Sequence, residues 1–109
     1  MTQDAASPML TPGSRWKSRV CSTEVVVVRP PTESVSLECG GVVMAPHGSA
    51  DAPAGSPAEA HSAGTHVGKR YFDAVSGLEL LGSKAGQGSL SISGRPAQIK
   101  QAKPLPASD

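Results

Sequence analysis

Apolar residues fall into four short runs bounded by glycine, proline or small polar residues. They are Val25–Val28, the alternating stretch VSLEC at 35–39, LELL at 78–81, and SLSIS at 89–93. Runs this short, rich in β-branched residues and alternating in places with a period of two, predict strands. The expected strands lie near 24–29, 35–39, 78–82 and 89–93, with almost no helix. Pro30-Pro31 interrupts the first pair, and SKAGQG (83–88) separates the second pair with two glycines that supply turn conformations. Each pair reads as a β-hairpin, so the fold class expected is small all-β.

The polar segments divide the rest of the chain. Residues 1–14 are rich in Ser, Pro and Thr and read as a disordered N-terminal tail. Residues 45–66 contain no Val, Leu, Ile or aromatic residue, so they offer little apolar surface to offset the entropy of ordering; they read as a flexible linker. Two hairpin units, 15–44 and 67–99, lie on either side of it. Residues 100–109 are punctuated by proline and read as an extended C-terminal tail.

Charge narrows the possible partners. With a formal net charge of +1 and 17% charged residues, the 109-residue chain has no electrostatic footprint for nucleic acid or an anionic membrane. Its longest valine run is far too short to cross a bilayer, and the N-terminus, with Asp4, lacks the apolar stretch of a secretory signal. A cytoplasmic protein is the expectation, and there two cysteines are reduced or metal-bound more often than disulfide-linked. No G-x-S-x-G elbow occurs, and SKAGQG lacks the helix a phosphate loop requires. No enzyme is expected.

The two units align with each other. RWKSRVCSTEVVV (15–27) lies over RYFDAVSGLELLG (70–82) without a gap, pairing Arg15 with Arg70, Trp16 with Tyr71 and Glu24 with Glu79. After two extra residues in the first turn, SLECGGVVM lies over SLSISGRPA, pairing Leu37 with Leu90 and Gly41 with Gly94. A tandem repeat follows. Each copy resembles the small desulforedoxin domain of the rubredoxin-like class, whose pattern is aromatic-x-C-x-x-C-G, a Val-rich strand, a Gly-rich turn and L-x-C-C-G-x-x-M. Trp16 matches the aromatic position, Cys21 the second ligand, LECGGVVM the closing segment and Cys39 the third ligand. Ser18 and Gly40 stand at the other two ligand positions. In the second copy the four positions are Asp73, Ser76, Ile92 and Ser93.

The resemblance implies two rubredoxin-like units, degenerate as metal sites. Units this small seldom fold alone without metal, so pairing of the two hairpins, or of two chains, is expected in its place, burying Val25–Val28 and Leu78–Leu81 on both faces. A tetrahedral iron or zinc centre takes four ligands such as thiolate or imidazole. The first copy keeps two thiols and the second keeps none, so electron transfer by a thiolate cage is not expected. The resemblance also implies that Cys21 and Cys39 face each other. They stand as free thiols, as part of a zinc or iron site completed by other residues, or as a disulfide. His47, His61 and His66 are the candidate recruits, and His47 is the one taken with Cys21 and Cys39 as a metal-ligand set; Asp73 could add oxygen. The function expected is a non-catalytic accessory or interaction protein without an obligatory cofactor, docking on a protein partner or on its own copies. The alternative is a zinc- or iron-binding or thiol-redox module using Cys21 and Cys39.

Overall fold

The computed structural model describes residues 10–48 and 55–100. Among these residues ten strands form two antiparallel sheets. The larger has six strands in the order β10-β6-β7-β2-β1-β5, and the smaller has four in the order β4-β3-β8-β9. In the first repeat these are β1 (Arg15–Lys17), β2 (Glu24–Arg29), β3 (Leu37–Cys39), β4 (Val42–Val43) and β5 (Ala45–Pro46). In the second they are β6 (Arg70–Phe72), β7 (Glu79–Lys84), β8 (Leu90–Ile92), β9 (Arg95–Pro96) and β10 (Gln98–Lys100). The only helical element among the described residues is a 3-10 turn, Glu59–His61. No helix among them is long and apolar enough to cross a membrane.

The repeats are the same structure twice, in register as well as in strand order. Trp16 faces Val25 as Tyr71 faces Leu80. Cys39 faces Val42 as Ile92 faces Arg95. The copies pair through equivalent strands. β2 meets β7 with Val26 opposite Leu81, and β3 meets β8 with Glu38 opposite Ser91. Both pairs join residues that occupy the same place in the two repeats, so the repeats are related by an approximate two-fold axis and share an isologous interface within one chain. The pairing closes what would otherwise be exposed edges of β2 and β7.

The expected hairpins are corrected by this topology. β2 does not pair with β3, nor β7 with β8; each pair is split between the two sheets. Pro30 and Pro31 have no N–H to donate to a ladder, and here they carry the chain from one sheet to the other. The tight hairpin turns lie elsewhere, at Gly40-Gly41 between β3 and β4 and at Ser93-Gly94 between β8 and β9. All four residues have positive φ (+67°, +86°, +50° and +82°), the geometry of a two-residue turn matched to strand twist.

The sheets enclose one core. Val25 and Val27 are buried, with Leu78, Leu80, Leu37 and Ile92 packed in the same cluster beneath Trp16 and Tyr71. The expectation that the valine run is buried on both faces fails at Val28, which is exposed. Only one face of β2 packs fully on the core, so on its other face Val26 is half-buried and Val28 exposed.

The boundaries of the polar segments also differ from expectation. Leu10 is buried, Gly13 donates to the Val27 carbonyl at 2.8 Å, and Val27 donates back to Ser14 at 2.9 Å, which anchors residues 10–14 on β2. Residues 1–9, read as tail, lie outside the described residues, as do 101–109 of the C-terminal tail and 49–54 of the linker; Lys100 closes β10. The described parts of 45–66 are held in place. Ala45 and Pro46 form β5, Ala58 donates to the Gly40 carbonyl at 3.0 Å, Ser89 donates to the His61 carbonyl at 2.9 Å, and buried Thr65 exchanges two backbone hydrogen bonds with Gly86. Backbone hydrogen bonds, which apolar content does not report, supply that anchorage.

Candidate functional site: a thiol pair at the repeat interface

The turn joining β1 to β2 is built around a serine. Ser18 donates its N–H to the Thr23 carbonyl at 2.9 Å, and its hydroxyl oxygen accepts the N–H groups of Val20 at 3.0 Å and Cys21 at 3.1 Å. A short side chain that accepts from residues two and three positions ahead closes such a turn locally. This places Cys21 on the inner side of the turn, half-buried, and β3 delivers buried Cys39 from the other sheet. The two sulfurs are 3.8 Å apart, 18 positions distant in sequence.

Polar groups surround the pair. Ser18 Oγ lies 3.3 Å and Thr23 Oγ1 3.2 Å from Cys21 Sγ, and the Gly88 N–H donates to that sulfur at 3.3 Å. Gly88 belongs to the second repeat, so the opposite copy's β7–β8 turn covers the thiols. Its glycines are required there. A Cβ at Gly88 would stand 2.8 Å from Cys39 Sγ, and one at Gly86 2.2 Å from Thr23 Oγ1.

The thiols are electrostatically unlike. Burial alone pushes the Cys21 thiol up, but the hydroxyls of Ser18 and Thr23 and the N–H groups of Thr23 and Gly88 stabilise the thiolate and bring it down to about 7. Cys39 is pushed up to about 11 by deeper burial and by the negative charge on Cys21; the same hydroxyls only partly offset this. Cys21 is therefore the thiol of the pair that ionises first, and its thiolate then stands beside a protonated Cys39, whose S–H can donate to it.

The second repeat does something different at the same place. Asp73 replaces Ser18 and keeps the turn-closing role, its Oδ2 accepting from the Ser76 N–H at 3.0 Å and the Ser76 hydroxyl at 2.7 Å. Arg95, at the position held by Val42 in the first repeat, donates to both carboxylate oxygens, at 3.1 Å from Nε and 2.7 Å from Nη2. The guanidinium holds the Asp73 carboxyl well below the usual carboxylate range, against the opposing effect of burial. Thr32 of the first repeat covers this turn, donating from its N–H (2.7 Å) and hydroxyl (3.1 Å) to the Ser76 carbonyl. Each turn is therefore covered by the other repeat.

The donor set does not fit a tetrathiolate iron or zinc centre. The first repeat brings two sulfurs and two hydroxyls, and the fourth position is closed: a Cβ at Gly40 would meet Val20 Cγ2 at 2.6 Å and Pro57 Cβ at 3.0 Å. His47 is not brought to the cysteines. It is exposed, with Nε2 3.6 Å from Glu24 Oε1. His61 packs against Gly41, and His66 is exposed, its backbone N–H donating to the Tyr71 hydroxyl. Among the described residues no group of three or more His, Cys, Asp or Glu side chains gathers as a metal site.

Sequence spacing brought Cys21 and Cys39 to attention. It did not single out Thr23, Gly88 or Arg95. Thr23 and Gly88 reach the thiols from different repeats, and no local motif marks a contact across 67 positions. No family model, no curated protein and no solved structure matches this chain.

Proposed function

We propose that this chain is a small, non-catalytic accessory protein derived from a duplicated rubredoxin-like metal-knuckle unit, acting by docking on a protein partner in the cytoplasm. The observation that carries this reading is the reciprocal covering of the two turns, Gly88 over Cys21 in one repeat and Thr32 over Ser76 in the other. Units of this size seldom fold alone without a metal, a disulfide or association. Here the opposite repeat supplies the association, and in the second unit Asp73, at the first ligand position, is engaged in an ion pair with Arg95. The knuckles serve the fold, and the surface is left for recognition. β10 ends the larger sheet, with Gln98, Ile99 and Lys100 all exposed, and presents an edge of the kind to which an extended segment of a partner adds as a further strand.

The test is metal dependence of the full chain. After exhaustive treatment with a strong chelator, its β-type circular dichroism and Tm are expected to stay unchanged. Stoichiometric zinc or iron in the purified protein, with loss of the β signal on its removal, would replace this reading with that of a metal module.

A further inference from the structure

We propose that Cys21 and Cys39 form a redox-active dithiol that exchanges with low-molecular-weight disulfides, Cys21 making the first attack and Cys39 resolving the mixed disulfide. This goes beyond the docking function and does not depend on it.

Geometry carries the proposal. The sulfurs are in contact at 3.8 Å, so they must approach by about 1.8 Å to reach disulfide bond length. Cys21 lies in the turn between two strands of the larger sheet and Cys39 in a strand of the smaller, and neither is committed to another covalent partner. Their access differs: Cys21 is half-buried in a turn whose next residue, Ser22, is exposed, whereas Cys39 is fully buried. Cys21, although lined by the β7–β8 turn, is the less buried of the two and so the one an external sulfur meets first, which leaves Cys39 to act on it from inside. Polar contacts follow the same order. As a thiol Cys21 has its S–H within reach of the Ser18 and Thr23 hydroxyl oxygens; once it ionises those hydroxyls can rotate to donate, beside the Gly88 N–H that already donates to the sulfur. Ser18 already accepts two backbone N–H groups, which leaves its own proton free to point at sulfur.

The exchange runs in two displacements. The Cys21 thiolate attacks one sulfur of a disulfide R–S–S–R, forming Cys21–S–S–R and expelling RS⁻. Cys39 gives up its proton, which RS⁻ or water accepts, and its sulfur attacks Cys21 Sγ and expels the second RS⁻. Two thiols of the protein are oxidised and one external disulfide is reduced to two thiols, with two electrons transferred. The reverse sequence restores the dithiol. The external disulfide is the oxidant and the corresponding thiol the reductant.

Oxidised glutathione is the probe. The full-length wild-type chain, incubated with it and followed by intact mass, is expected to lose two hydrogens and to accumulate no glutathione adduct. Cys39→Ser is expected to trap glutathione on Cys21, because nothing remains to resolve it. Cys21→Ser is expected to react at least about tenfold more slowly than Cys39→Ser, since the remaining thiol is buried and protonated. A wild-type chain that stays fully reduced, or that carries stable glutathione on both cysteines, overturns the proposal. So does equal reactivity of the two single variants. Should either variant fail to fold, alkylation of the wild type decides. Modification of Cys21 well ahead of Cys39, with peptide-level mass spectrometry as the readout, sustains the assignment of roles, and equal rates overturn it.

Discussion

Gly86→Ala is expected to destabilise the chain by about 3 kcal/mol or more, a fall in Tm on the order of 15 °C for a domain of this size. The cause is contact. The added methyl would lie 2.2 Å from Thr23 Oγ1, 2.5 Å from the Thr23 backbone nitrogen and 3.0 Å from Cys21 Sγ. Backbone cannot swing aside as a side-chain tip can, so the covering turn must lift from the first repeat. Lifting it weakens the paired hydrogen bonds to buried Thr65 and withdraws the Gly88 N–H from Cys21. Gly94→Ala is the internal comparison. Gly94 has φ of +82° and nothing within 4 Å of its added Cβ, so it is expected to lose only about 1 kcal/mol of conformational origin. Thermal denaturation of both variants checks the contrast. A Gly86→Ala chain as stable as Gly94→Ala would mean that the two repeats are not pressed together at this turn. Cys21 alkylation should change in the first variant and stay unaltered in the second.

The second large effect is expected at Asp73. Asp73→Ala removes a buried carboxylate that closes its turn through Ser76 and is gripped by Arg95; the loss is about 2–3 kcal/mol. The first repeat supplies a control. Ser18 closes the equivalent turn with a hydroxyl and needs no arginine, because Val42 stands at the Arg95 position. Asp73→Ser should therefore retain the cap and recover roughly half of the stability lost in the alanine variant. Acid titration separates the charge from the cap. The folded carboxyl is held below its unfolded value of about 4, so its contribution is fully present above that pH and is lost as pH falls below it. The stability gap between wild type and Asp73→Ser is accordingly expected to narrow from about pH 4 downward. Urea denaturation at a series of pH values measures it; a gap that stays constant down to strongly acidic pH would mean that the Asp73 charge contributes nothing.

Much of the architecture is written in local pattern. The alternation at Val25 and Val27, the β-branched and Leu-rich runs, and the glycines of the β3–β4 and β8–β9 turns specify short strands and tight reversals, because side-chain period and positive φ are properties of a few adjacent residues. The repeat was legible for the same reason: Trp16 over Tyr71, Leu37 over Leu90 and Gly41 over Gly94 are identities of kind at matched positions. The proximity of Cys21 to Cys39 was implied by resemblance, and the 3.8 Å contact agrees with it. The partner of each strand was not legible. β2 and β7 each carry a pattern that fits several neighbours, and the choice between a hairpin with the next strand and a ladder with the opposite repeat depends on the apolar surface buried by the whole assembly, which no single segment contains. The described parts of 45–66 looked free because their composition is polar, yet they are held by backbone hydrogen bonds to Gly40 in the first repeat and to Gly86 and Ser89 in the second, partners that no local pattern reveals. The unequal character of the two thiols also belongs to the tertiary structure. As residues they are the same; a hydroxyl from Thr23, an N–H from Gly88 and a difference in burial lower the pKa of one and raise that of the other.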